Sequence, residues 1–241
     1  SSTAPLSRRG FKLRKLAFVD AKELKDAMIV DGAVQDKLMM SLGDEIYLRY
    51  GANYKPKVGN RYSIYEEVDK VVHPRTGKNI GAYVRIRGEV EIKSVKRDRR
   101  ARAVILRSSK PIERGQKVGP IKKVFKNVEP VRNERNAQGY IVGKIDKGEL
   151  IGARQLVLID LGRKAGIKEG NRLFIIRRGD AYPDLTDPGR SVGQDDKRFP
   201  ARALGEVVIV DVGESISLAL VTLVVREVGV GDMVLMRKDT K

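Results

Sequence analysis

The hydrophobic positions of this chain occur in short bursts with turn-forming residues between them. Apolar side chains alternate with polar ones, or run together, at residues 46–48, 62–65, 83–86 and 90–92. Gly, Pro and Asn lie between these bursts. Short strands at such regular spacing are typical of a β-barrel or a β-sandwich, not of an α/β enzyme.

One short helix is predicted near the start, over residues 20–28. Asp20 can cap its first turn, and Leu24 and Met28 lie one turn apart on the same face. Residues 1–17 are expected to be a flexible linker, and the first ten of them look like a linker or a cut end. The chain therefore opens with little regular structure before its strands begin.

An internal repeat relates the two halves of the chain. Segments 46–64, 88–92 and 112–118 resemble, in this order, segments 157–175, 205–209 and 228–234. The clearest match is Gly59-Asn60-Arg61 against Gly170-Asn171-Arg172. The repeated units cover roughly residues 39–120 and 153–237.

The repeat contains one turn pattern four times: an apolar residue, a glycine, a polar residue and a second apolar residue. The glycines are Gly59, Gly115, Gly170 and Gly231. Glycine adopts positive φ without a steric cost, and the polar residue after it can bond the local backbone. The pattern predicts a turn that leads into a strand, used twice in each unit, and not a binding site.

Together these patterns predict an all-β chain of two tandem, related units, each a small barrel or sandwich. We expect residues 18–121 to form the first unit with the N-terminal helix, residues 122–152 a connection, and residues 153–237 the second unit. Residues 138–142 are strand-like, so the connection is expected to be paired and not loose. Two separate barrels and one shared sheet both fit the pattern.

The charge balance points to an anionic partner. The chain of 241 residues carries 49 Lys and Arg against 31 Asp and Glu, a net charge of +18. Nucleic acid, an acidic membrane face and an acidic polymer all fit this balance, and so does a simply solvated surface. No transmembrane helix is expected, because the longest apolar stretch, residues 216–225, is too short to span a bilayer.

The residues that usually perform catalysis are scarce. The chain has no Cys, which excludes disulfides, thiolate zinc sites and Cys nucleophiles, and one His, His73, expected to be an exposed turn residue. Carboxylates cluster between Asp180 and Asp196 without the spacing of a calcium loop, and no phosphate-binding glycine loop is present. We therefore predict a non-enzymatic protein without a cofactor or metal.

One cluster of cations stands out as a candidate site. If residues 96–99 form a turn, these cations gather at one hairpin tip and on its flanks. They are Lys93, Lys96, Arg97, Arg99, Arg100, Arg102 and Arg107. Such a tip could bind the charged backbone of an anionic polymer, with an affinity that falls steeply as the salt concentration rises. Alternatively, the charges protect an exposed strand from aggregation, and no aromatic residue alternates with them in the sequence.

Several segments resemble a known family. Residues 23–32, 36–48, 73–81 and 109–115 are similar to the region that follows the LysM module in bacterial LysM peptidoglycan-binding proteins. The likeness runs from about residue 18 to 236. It implies a periplasmic, cell-envelope protein whose LysM module, absent from this chain, binds the cell wall. It implies no catalytic residues, and the strong basicity departs from the usual appearance of the family.

Two functional hypotheses follow. The first is a cell-envelope interaction module that binds a peptidoglycan-associated, anionic or protein partner. The second is a cytoplasmic nucleic-acid-binding barrel that uses the basic hairpin. A hydrolase built from carboxylates and Lys alone is the third and weakest.

Overall fold

The computed structural model describes residues 16–121, 128–145, 150–179 and 198–239. Within these residues the chain is nearly all β, with a single α-helix. The contacts of the chain divide it into two compact units. The first comprises residues 16–71 and 79–121, and the second comprises residues 72–78 with the described residues from 128 onward. The all-β prediction is confirmed, whereas the domain boundaries drawn from the sequence stay a prediction.

The first unit contains one helix and seven strands. They are β1 (Leu16–Asp20), α1 (Ala21–Asp26), β2 (Met28–Ala33), β3 (Glu45–Arg49), β4 (Arg61–Val72), β5 (Asn79–Val95), β6 (Arg100–Ser108) and β7 (Lys117–Pro120). The strand order is β1-β5-β4-β7-β2-β3-β6. Because β5 also pairs with β6, six of these strands close into a ring and β1 branches from β5.

The helix begins where the sequence predicts. Asp20 precedes it in extended conformation, and its Oδ1 accepts a hydrogen bond from the Glu23 backbone N–H at 2.8 Å. Leu24 is buried, but the helix ends at Asp26 because Met28 begins β2. Of the predicted linker, residues 1–15 lie outside the described residues, and β1 starts at Leu16.

The second unit is a closed barrel of six strands. Its strands are β8 (Ala137–Lys144), β9 (Leu156–Ile159), β10 (Arg172–Arg178), β11 (Ala201–Val212), β12 (Ser217–Val224) and β13 (Met233–Met236). A 3-10 turn spans Arg163–Ala165. Strand β8 contains the strand-like residues 138–142, and it pairs with β9 and β13. The barrel interior is filled by aliphatic side chains, with Ile141, Ile159, Leu173 and Ile175 fully buried.

The two units share one topology, which is the structural form of the sequence repeat. Reading β2–β7 onto β8–β13 in chain order, the ring β4-β5-β6-β3-β2-β7 becomes β10-β11-β12-β9-β8-β13. The turn bonds repeat as well: Gly59 N–H donates to Ile92 O at 2.8 Å, and Gly170 N–H donates to Ile209 O at 2.9 Å. Each half of the chain therefore closes its own ring, which answers the question of one shared sheet.

The four repeated glycines adopt the positive φ that the sequence predicts, between 81° and 98°. In the second unit the following polar residue bonds the backbone: Asn171 Oδ1 accepts from Lys168 N at 2.7 Å, and Asp232 Oδ2 accepts from Gly229 N at 2.8 Å. In the first unit this prediction is wrong for Gln116, whose buried Oε1 has no hydrogen-bond partner among the described residues. The turn thus depends on its glycine more than on its polar side chain.

Candidate anion-binding site

The predicted turn of the basic hairpin is confirmed. Strand β5 ends at Val95 and β6 begins at Arg100, with Lys96 N–H donating to Arg100 O at 2.7 Å. Tyr50 fixes this turn twice: its hydroxyl donates to Lys96 O at 2.8 Å and its N–H donates to Arg99 O at 3.1 Å. The backbone at the tip is therefore held in place while the side chains of Lys96, Arg97 and Arg99 are exposed.

The cations of the hairpin differ in how far they are neutralised. Lys93 pairs with Glu91 at 2.6 Å, Arg100 with Asp31 at 3.0 Å and Arg102 with Glu45 at 3.7 Å. The hydrogen bond from Lys93 lowers the pKa of Glu91 below its usual value. By contrast, Lys96, Arg97, Arg99 and Arg107 form no ion pair with any residue that the structure describes. The tip itself therefore carries the uncompensated charge.

Arg107 lies apart from the other six candidates. It pairs in register with Glu89, at the end of β6 remote from the tip. Seven residues of strand separate it from Arg100, which corresponds to about 23 Å along the strand. The structure therefore brings together Lys93, Lys96, Arg97, Arg99, Arg100 and Arg102, and it does not bring Arg107 to them.

Two residues of the site were not predicted from the sequence because they lie on another strand. Strand β3 pairs with β6, which places Arg49 opposite Arg100 and Tyr47 opposite Arg102 on the outer face. Tyr47 is 42% exposed. An aromatic ring therefore lies among the cations in the structure, although none alternates with them in the sequence. Only the non-local β3–β6 pairing reveals it.

The protective role predicted for these charges does not apply to β6. Strand β6 pairs with β5 on one side and β3 on the other, and β5 lies between β6 and β4 in the closed ring. Charged residues hinder edge-to-edge aggregation only on a strand whose backbone N–H and C=O groups are unpaired. Since β6 is not an open edge at the tip, edge protection does not explain the cations that it carries, whereas for β5 the protective role stays a prediction.

The second unit provides an internal comparison for this hairpin. Its equivalent strands, β11 and β12, are joined by a turn in which Gly213 N–H donates to Ile216 O at 3.0 Å. At this turn stand Asp211, Gly213 and Glu214, and Glu214 pairs with Lys164 at 3.0 Å. The same topology thus forms the equivalent hairpin, with a different turn, without a cluster of cations. The basic tip is not a requirement of the fold.

The prediction that His73 is exposed is wrong. It precedes a turn as expected, but it is 8% exposed, and its Nε2 lies 3.0 Å from Asp160 Oδ2. Its Nδ1 accepts hydrogen bonds from the N–H groups of Arg75 and Thr76, at 3.1 and 3.3 Å. Nε2 must therefore carry the proton that Asp160 accepts. With both ring nitrogens engaged, this His–Asp pair anchors the turn, and neither nitrogen is placed to act as a base.

Other candidate chemistry is limited. Within the described parts of the chain, no three His, Asp or Glu side chains gather as metal ligands would. The acidic cluster at residues 180–196 lies outside the described residues. Nor does any helix in the described ranges combine the length and apolar character needed to cross a membrane.

The comparisons with known proteins do not identify a family. No protein-family model matches the sequence, and no curated protein matches it.

Proposed function

We propose that this chain is a non-enzymatic binding module that holds an anionic polymer of the bacterial cell envelope on the tip of the β5–β6 hairpin. The observation that carries the proposal is the contrast between the duplicated hairpins. The first gathers Lys and Arg at its turn, whereas the equivalent hairpin of the second unit carries Asp211, Gly213 and Glu214 at its turn and flank. Cations that the fold does not need are best explained by a ligand.

The geometry suits a polymer better than a small anion. The tip is convex and exposed, with Lys96, Arg97 and Arg99 around a turn that Tyr50 holds rigid. Outward side chains two residues apart on a strand, such as Arg100 and Arg102, repeat at about 6.7 Å. A row of positive charges at this spacing can contact successive charges of an extended chain, whereas a small anion would need an enclosed pocket.

The envelope setting of this proposal rests on the resemblance to LysM proteins. In that setting a LysM module would hold the wall glycan. The basic tip would hold an anionic wall or outer-membrane component, or an acidic protein. The net charge of +18 would speed the encounter with any of these.

A second candidate function is favoured by one observation, the position of Tyr47. An exposed aromatic ring between cations is the usual platform for a base of single-stranded nucleic acid. Tyr47 lies opposite Arg102 and in the strand that also presents Arg49. This alternative makes a distinct prediction, because an envelope polymer without bases gains nothing from the ring.

The deciding experiment is co-sedimentation of the purified chain with peptidoglycan sacculi, at rising salt and with a single-stranded oligonucleotide as a soluble competitor. The tip variant is Lys96→Glu, Arg97→Glu and Arg99→Asp, since Asp tolerates the positive φ at position 99. The matched control is Lys55→Glu, Lys70→Glu and Arg226→Asp, which changes net charge equally at exposed residues elsewhere.

We expect the tip variant to lose about tenfold in affinity for sacculi, or 1.4 kcal/mol, while the control stays within about twofold. Retention of the native chain at about 0.3 M salt, where exposed charges are well screened, would show recognition beyond bulk charge. If the tip variant and the control behave alike, the tip is not the site. If the oligonucleotide displaces the chain and Tyr47→Ser abolishes that competition, the nucleic-acid function replaces the envelope one.

A further inference from the structure

The connection between β2 and β3, residues 34–43, has three strongly exposed aliphatic side chains close together in the sequence. Leu38 is 87% exposed, Leu42 67% and Met39 62%. Isolated exposed aliphatics are common on proteins, but three within five residues form a contiguous patch. We call residues 34–43 the apolar loop.

The backbone of the apolar loop imposes this exposure. Met40, in the middle of the loop, is fully buried, and it exchanges two backbone hydrogen bonds with Ile112, at 3.0 and 2.7 Å. On the far side of it, Gly43 N–H donates to Ile105 O at 2.9 Å. At the start, Val34 N–H donates to Glu45 O at 2.9 Å. Because the backbone is fixed at these points and Met40 occupies the core, the side chains on either side of Met40 face solvent.

Charged residues surround the apolar loop on the same end of the unit. The antiparallel bridge between Met40 and Ile112 brings the segment around Ile112 alongside the loop. Lys110 lies two residues before Ile112 and Arg114 two residues after it, and Arg114 Nη1 donates to Asp31 O at 3.1 Å. The cations of this end are Lys37, Arg107, Lys110 and Arg114, and the acids are Asp36, Asp44 and Glu113. Lys37 and Asp44 neutralise each other at 2.7 Å. Arg107 and Lys110 form no ion pair within the described part of the chain.

We propose that the apolar loop inserts into the surface of an anionic lipid membrane. Its three exposed side chains form a patch of roughly a few hundred Å², well short of the ~800 Å² per partner that a stable protein interface buries. A membrane surface needs no such area, because a few aliphatic side chains in the headgroup region and nearby cations act together. An exposed loop of Leu and Met at the end of the unit that also carries Arg107 and Lys110 has this composition.

This inference goes beyond the proposed function and uses a different part of the first unit. The apolar loop precedes Glu45 at one end of β3, whereas the hairpin tip contacts Tyr50 just past the other end. The unit could therefore hold lipid at one end and an anionic polymer at the other. Sacculi contain no lipid bilayer, so their sedimentation tests the tip alone and the two proposals can fail independently.

The sharpest test is a fluorescence reporter, since the native chain contains no Trp. Leu38→Trp would be mixed with vesicles of phosphatidylcholine containing phosphatidylglycerol, and with vesicles of phosphatidylcholine alone. We expect the Trp emission to move to shorter wavelength with the anionic vesicles and to be quenched by brominated acyl chains. The control is Val58→Trp, at a position of similar exposure, 62%, whose emission should stay that of Trp in water.

A second variant tests the apolar contribution without a reporter. Leu38→Ser, Met39→Ser and Leu42→Ser together should weaken vesicle co-sedimentation at least about tenfold, with unchanged melting temperature because the side chains are exposed. The proposal is overturned if the native chain does not bind anionic vesicles. It is equally overturned if Val58→Trp shifts in place of Leu38→Trp. A dimer that the triple variant abolishes on sizing would show that a second copy, and not lipid, covers the loop.

Discussion

Arg177 on β10 donates hydrogen bonds to both carboxylate oxygens of Asp232, from Nε to Oδ1 and from Nη2 to Oδ2, each at 2.6 Å. Asp232 is completely buried, and its Oδ2 also accepts the Gly229 N–H at 2.8 Å. The hydrogen bond that Arg177 donates to Asp232 raises the pKa of Arg177. This pair joins the turn before β13 to β10, the strand that pairs with β13 in the barrel.

We expect Asp232→Ala to destabilise the chain by about 3–5 kcal/mol, because it leaves a partly buried guanidinium without its counter-charge. Urea unfolding followed by circular dichroism would measure this. Glu134→Ala, which breaks the exposed pair of Glu134 with Lys168, is the control and should cost less than about 1 kcal/mol. Equal small effects of the two variants would show that the buried pair contributes little.

Gly88 and Gly205 occupy equivalent positions in the two units, and each lies where its strand shifts register against the next. A Cβ would overlap the carbonyl oxygen of Arg107 at Gly88 and that of Leu223 at Gly205. Gly205→Ala should therefore cost about 2–3 kcal/mol by overpacking. Gly51→Ala, where a Cβ meets nothing within 4 Å, should cost less than about 0.5 kcal/mol. A mild Gly205→Ala variant would mean that the strands can separate to admit a methyl group.

The features that the sequence predicts correctly are local ones. Asp20 caps the helix it precedes, Gly170 turns the chain into β10, and Lys96 begins the turn of the basic hairpin. Each of these depends on residues only a few positions away. Local propensity therefore suffices to place them, and the repeat then carries the same elements to both units.

The features that the sequence did not predict depend on distant partners. Tyr47 joins the cationic site only because β3 pairs with β6. His73 is buried only because Asp160, 87 residues away, meets its ring. Which strands become neighbours in a ring is decided by the packing of the whole barrel, and the local pattern of a single sequence does not specify it.

The buried turn at His73 leads to a third prediction. His73→Ala removes the acceptor of two backbone N–H groups and leaves Asp160 without the ring proton, so it should destabilise the chain by about 1–3 kcal/mol. Thermal melting would show the loss. Arg75→Ala is the control, because it keeps both backbone bonds and removes only the guanidinium that lies 3.9 Å over the Tyr140 ring. If both variants melt alike, the histidine bonds do not stabilise the turn.

Asp31 offers a test of the cationic site in which binding should improve. It pairs with Arg100 at 3.0 Å and with Arg49 at 3.6 Å, so it neutralises part of the surface beside the tip. Asp31→Asn should raise affinity for the anionic polymer about three- to tenfold at low salt, because each charge contributes to the counterion release. Co-sedimentation with sacculi measures it.

Asp36→Asn changes the net charge equally at the opposite end of the same unit and should alter binding less than twofold, or about 0.4 kcal/mol. A drop in affinity for Asp31→Asn would reverse the interpretation. It would mean that Asp31 orients Arg100 and Arg49 for binding and does not compete with the ligand.

The last prediction concerns Tyr65, whose buried hydroxyl has no hydrogen-bond partner among the described residues. Burial, and secondarily the nearby Glu23, raises the pKa of this hydroxyl above its ordinary value. A raised pKa in the folded state contributes stability that is complete below about pH 10, the ordinary value, and is lost as the pH rises further. Folding therefore weakens at high pH because the unfolded chain releases this proton more easily.

Tyr65→Phe removes both the unpaired hydroxyl and its proton. We expect it to stabilise the chain by about 1 kcal/mol at pH 7 and by more above about pH 10, as measured by urea unfolding at the two pH values. Tyr47→Phe, on the outer face, is the matched control and should change stability by less than about 0.5 kcal/mol. Destabilisation by Tyr65→Phe at pH 7 would show that the hydroxyl has a partner in solution, most simply a bound water, and that its burial carries no penalty.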